Sequence, residues 1–137
     1  MITDGIVQLL LADPTLSGMT SCIVPVGKVK GVKSPGIVYH IGTTLDTKDA
    51  QGSTGYRLAR FQFDSYSSLS YTEAKALARA VRGVLENFRG ETLSDPDSTF
   101  VQGCLVDFET DMPFVPEGLV TIEYRVMVQV SVWYKES

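Results

Sequence analysis

Three carboxylates, Asp107, Glu109 and Asp111, recur at every second residue. In an extended strand that spacing projects all three from one face, where their oxygens could hold a divalent cation. No glycine-turned calcium loop accompanies them, so a solvated strand face is the plainer reading. Thiol chemistry would need the lone His40 beside Cys22 or Cys104. Each cysteine sits in an apolar run and reads as a buried free thiol; a disulfide would require their strands to be adjacent. One histidine excludes a multi-histidine metal site within a chain. Ser53 and Ser67 have no histidine positioned to activate them, and no glycine-rich run ends in Gly-Lys-Ser/Thr to cradle a phosphate. Asp95 and Asp97, flanking Pro96, read as turn residues. Lys28, Lys30 and Lys33 form a small basic patch without stacking aromatics, better suited to keeping a sheet edge soluble than to holding single-stranded nucleic acid. No catalytic residue, metal site or cofactor site is expected from these groups.

The elements that must position these residues are clearest from Arg57 to Phe88. Ala59, Phe61 and Phe63 alternate with Arg60, Gln62 and Asp64, the period of a half-buried strand. The pattern then turns helical. Ala74, Leu77, Ala78, Val81, Leu85 and Phe88 share one face, with Lys75, Arg79, Arg82, Glu86 and Arg89 mostly opposite. Ser70 and Glu73 form a capping box at the switch. Upstream, Thr3 can cap a first helix carrying Ile6, Val7, Leu9, Leu10 and Leu11, which Asp13-Pro14 ends or interrupts. Ser21–Val26 is a short strand, and Gly27–Lys33 a solvated turn or loose hairpin. Pro35 opens a strand over Gly36–Thr44. The stretch 42–55 is rich in glycine, threonine and aspartate and holds only two aliphatic residues, which predicts a mobile loop between two strands.

Beyond the helix, Gly90–Ser98 reads as a stop and a turn. In the strand Phe100–Asp111, Val101, Cys104, Val106 and Phe108 can share a face only through a bulge, for which Gly103 is the natural site. Met112–Gly118 is a turn. From Val120 to Tyr134 apolar and polar residues alternate without a break, one face buried and the other mostly wet. Met127 and Trp133 interrupt the wet face, which implies either a covering element or a partner surface. The order helix, strand, strand, strand, helix, strand, strand predicts one α+β domain over residues 1–137: an antiparallel β-sheet with two α-helices packed on one face.

Composition bounds the role. The 137 residues carry a formal net charge of −4, the opposite of the basic footprint of general nucleic-acid binding. The N-terminus lacks the basic region of a signal peptide, and no apolar run reaches the ~18–20 residues of a membrane span. Synthesis in a reducing cytosol and no membrane partner are therefore expected.

Four stretches, taken in order, resemble the phage tail-completion family, whose members terminate the tail tube or join it to the head connector. Leu9-Leu10-Leu11-Ala12-Asp13-Pro14-Thr15-Leu16 resembles its opening helix and aspartate–proline break. Ser34-Pro35-Gly36-Ile37-Val38-Tyr39 resembles its proline-led strand, and Phe61-Gln62-Phe63-Asp64-Ser65-Tyr66-Ser67 the strand ending in an aspartate and an aromatic. Ala74–Leu85 is similar to the following helix. The segments 17–33 and 42–55 carry no family motif. The resemblance implies a structural protein without catalytic residues, forming a ring, commonly a hexamer, at the head-proximal end of a virion tail. Its partners would be other copies of itself, the tail-tube protein and the head–tail connector, with DNA passing through without specific binding. Asp46, Lys48, Asp49, Arg57, Arg60, Met127 and Trp133 are the candidate ring and partner contacts. The acidic residues Asp46, Asp49 and the 107–109–111 row are candidates to line the channel. The competing expectation is a small cellular α+β module binding a ligand between sheet and helices.

Overall fold

A computed structural model describes residues 2–20, 23–25, 36–49, 52–67, 70–86, 88–93, 99–111 and 124–135. The chain runs α1 (Ile2–Ala12), α2 (Pro14–Met19), β1 (Ile23–Pro25), β2 (Gly36–Asp49), β3 (Gly52–Ser67), α3 (Tyr71–Glu86), β4 (Glu91–Thr92), β5 (Phe100–Asp111) and β6 (Tyr124–Lys135). The strands form one sheet in the order β1-β2-β3-β6-β5-β4. Every described neighbouring pair is antiparallel except β1 with β2. The expected α+β architecture holds. Strands β1 and β2 run parallel, and the segment Gly27–Lys33, expected as a solvated turn or loose hairpin, lies outside the described residues. The three lysines of that segment, Cys22, the turns around Asp95–Asp97 and Met112–Gly118, and Val120 and Ile122 lie outside the described residues.

The core is the contact between α3 and the middle of the sheet. Ala74, Leu77, Ala78, Val81 and Leu85 are fully buried, as the helical period requires. They meet Ala59, Phe61 and Phe63 of β3 and Val126, Val128, Val130 and Val132 of β6. The Phe61 and Phe63 rings stack with centroids 5.7 Å apart and planes 7° from parallel. Ile2, Ile6 and Leu10 of α1 and Leu16 of α2 complete the same cluster.

Local chemistry explains the element ends. Helix α1 begins at Ile2, so Thr3 lies inside its first turn and does not cap it. Asp13-Pro14 interrupts the helix and restarts it: the Asp13 carboxylate accepts from Leu16 N at 3.0 Å, and Pro14 takes the first helical position, where no N–H is needed. Ser70 caps α3 by accepting from Glu73 N at 3.2 Å. Glu73 does not close the expected box; its carboxylate accepts from Ser67 Oγ at 2.5 Å, and Ser67 Oγ accepts from Ser70 N. Gly90, at φ 66°, supplies the left-handed residue that turns the chain after α3 and donates to Val101 O at 2.8 Å. This places β4 where a plain turn was expected.

The expected loop over 42–55 is also corrected. Strand β2 runs on to Asp49 and β3 starts at Gly52, with Asp49 opposite Gly52. Backbone ladder bonds need no apolar side chains, so a polar, threonine-rich stretch pairs as readily as an apolar one. Strand β6 begins its pairing with β3 at Arg57. Residues 52–56 and their partners on β2 therefore continue past the level of β6 as a two-stranded ribbon, about 17 Å long at ~3.4 Å per residue.

Truncating Phe63 to alanine should cost about 3–5 kcal/mol, because the closed core cannot collapse into the space. Ser65 should respond oppositely: its hydroxyl is fully buried without a hydrogen-bond partner among the described residues, so Ser65→Ala should leave stability unchanged or raise it by about 1 kcal/mol. Urea denaturation of both variants checks this; a Ser65→Ala loss as large as that of Phe63→Ala would contradict the core described.

Candidate functional site

Two bulges in β5 decide where the acidic residues point. The register with β6 slips between Val101 and Gly103 and again between Val106 and Phe108. The first slip is the one expected at Gly103, and it keeps Cys104 and Val106 opposite Val132 and Val130 on the helix-covered face. The second, at Asp107, reverses the alternation. Phe108 is turned outward opposite Gln129, while Glu109 and Asp111 turn inward opposite Val128 and Val126. The three carboxylates therefore do not form a row on one face. Asp107 accepts from Ser131 Oγ at 2.7 Å and Gln129 Nε2 at 3.3 Å on the outer face. Among the described residues no group of three His, Cys, Asp or Glu side chains is arranged to hold a metal ion.

Glu109 and Asp111 instead hold α3 to the sheet edge. Lys75 Nζ donates to Glu109 and lies 3.4 Å from Asp111 Oδ1, Arg82 lies 3.6 Å from Glu109, and Tyr71 Oη donates to Asp111 at 2.6 Å. The Tyr71 hydrogen bond, then that of Lys75, holds the Asp111 carboxyl below its ordinary range; the hydrogen bond to Glu109, with a smaller one to Asp111, raises Lys75. Arg82 is raised chiefly by Glu86, which it bridges at 3.1 Å. Only the even spacing of the acids was visible beforehand; the bulge that turns two of them onto α3 was not.

The remaining candidate residues fall on two surfaces. Asp46, Lys48 and Asp49 lie on the ribbon, opposite Arg57, Ser53 and Gly52. Arg57 stands at its base, opposite Tyr134 of β6. Arg60, Met127 and Trp133 are on the outer sheet face, opposite Ser131, Asp64 and Leu58. Arg57 and Arg60 thus project from opposite faces, three residues apart on one strand. Met127 and Trp133 are half-buried. The larger apolar exposures are next to them, on β5: Leu105 at 56% and Phe108 at 42%. Phe108 does not share the face of Val101, Cys104 and Val106; the bulge at Asp107 places it here.

His40 and Cys104 do not meet. His40 is on the outer face opposite Gln62, Cys104 on the helix face, and β3 and β6 lie between their strands, a separation of about 14 Å at ~4.8 Å per strand. Burial pushes the Cys104 thiol up to about 12, so it is neutral near pH 7. Grooves of about 370 and 510 Å³ run along the helices, one between α1 and β4, the other between α2 and α3.

The Asp111 cluster makes stability pH-dependent. A carboxyl held low in the folded chain stabilises above its ordinary value of 3.8, and that contribution is lost as pH falls through the lower folded value. Asp111→Asn should be less stable than wild type near pH 6, with the difference shrinking towards pH 2. Urea midpoints at both pH values measure it; a pH-independent difference would remove the ionic role of Asp111.

No protein-family model matches the sequence, and no curated protein matches it. Among solved structures, the fold is similar to a chain in a structure described as "Virion of native gene transfer agent (GTA) particle", with a TM-score of 0.60 and 16% identity. The likeness covers 93% of this chain and 91% of that one, so it spans the whole architecture described above.

Proposed function

We propose that this chain is a structural assembly protein of a bacteriophage, prophage or related particle. In this reading it forms a ring, a hexamer, that completes the head-proximal end of the tail and joins it to the head connector. The observation that carries the reading is the nearly end-to-end likeness of its fold to a virion chain. The four stretches that resemble tail-completion proteins add support, since they occupy matching elements: α1 into α2, the start of β2, the end of β3, and α3. The role needs no catalytic residue. The ribbon and the outer sheet face supply contacts to other copies, the tail tube and the connector. A negative lumen would let DNA pass without adhering. Mature protein would reside in the tail neck of the virion after synthesis in the host cytoplasm. The ligand-binding alternative gains no comparable support: the centre of the described sheet–helix interface is filled by Phe61, Phe63, Leu77 and Val81.

Six subunits of net charge −4 carry about −24, so self-repulsion should hold them apart at low ionic strength. Light scattering should show monomers in dilute low-salt buffer and larger species at high concentration and salt. Negative-stain images with purified tail tubes should show one ring at a single tube end. A chain that stays monomeric throughout, tubes included, would defeat the proposal.

A further inference from the structure

Strand β5 presents a long exposed edge among the described residues. It lies next to last in the sheet, and β4 covers only Phe100 and Val101. From Gly103 to Asp111 its outer backbone groups face no described strand. The same segment carries Leu105 and Phe108, the two most exposed large apolar side chains on the sheet among the described residues. A free hydrogen-bonding edge with outward apolar groups at intervals is what an added strand recognises: the ladder supplies affinity, and the side chains supply specificity. The bulges at Gln102 and Asp107 leave Gly103–Val106 as a short regular segment between them, which restricts the register of a partner.

We propose that the partner is the β2–β3 ribbon of a second copy, adding to the β5 edge so that the sheets of neighbouring subunits become continuous. The ribbon is the other described strand pair with open backbone edges of useful length, because β1 has three residues and β4 has two. Two strands without a covering layer are marginally stable alone, so docking would stabilise the ribbon. Charge selects the ribbon over a second β5. An antiparallel pair of β5 strands centred on Glu109 would bring Asp107 against Asp111 and Glu109 against its own copy, whereas the ribbon and its base carry Lys48 and Arg57 alongside Asp46 and Asp49. The ribbon and β5 also lie on opposite sides of the sheet, separated by β6 and the body of β3. A contact between them is heterologous, and such contacts propagate from copy to copy and close a ring where the rotation between copies permits. The inference deepens the ring proposal and rests on it only for that closure.

Cross-linking tests it. In a Cys22→Ala, Cys104→Val background, Leu105→Cys is made in one preparation and Lys48→Cys in another, each with an unchanged melting curve. Under conditions that give oligomers, a short bis-maleimide should join the mixed pair and neither preparation alone. Leu105→Lys in the otherwise native chain should weaken self-association more than tenfold. Cross-linking of Leu105→Cys to itself, oligomers without the mixed cross-link, or a chain monomeric at every concentration would each overturn the inference. Cross-linked filaments in place of rings would keep it and defeat the ring reading; rings lacking the cross-link would do the reverse.

Discussion

The structure depends on one contact, that of the small-residue stripe of α3 with the stacked Phe61 and Phe63 rings. Ala74 and Ala78 let the helix lie close to the sheet, while Leu77, Val81 and Leu85 fill the space beside the rings and the valines of β6. Close packing of this kind has little room for adjustment, so the face presented by α3 is fixed. Everything attached to that helix inherits its position: the Ser67–Glu73 and Ser70 bonds at its start, and the Lys75 and Arg82 bridges along its flank.

Those bridges show how the sheet edge is tied down. Past Val106 the apolar pairing of β5 gives out, and carboxylates replace valines on the covered face. Glu109 is 14% exposed and Asp111 48% exposed, so the inner acid is sheltered while the outer one is screened by water. The bulge at Asp107 makes this possible by turning Phe108 away from the core. One irregularity thus creates the ionic attachment of α3 and adds Phe108 to the apolar outer edge begun by Leu105.

The two ends of the molecule are built on different physics. Around α3 the order comes from buried apolar surface. In the ribbon it comes from ladder hydrogen bonds between polar residues, with no helix over it among the described elements. Separate stretches of β2 and β3 therefore supply a rigid body and an extended element within one chain.

The sequence by itself determined the elements whose signal is local. The alternation of Ala59, Phe61 and Phe63, the stripe Ala74–Leu85, the Asp13-Pro14 break and the first β5 bulge at Gly103 all follow from side-chain period and backbone restriction, which neighbouring residues encode. Among the candidate contacts, Met127 and Trp133 were legible as apolar groups on a wet face. Only the tertiary structure decided the parallel pairing of β1, the continuation of β2 and β3 into a ribbon, and the second bulge that parts Asp107 from Glu109 and Asp111. The reason is common to all three. Strand pairing joins backbone groups distant in sequence, and a backbone hydrogen bond leaves no mark on the type of residue that makes it.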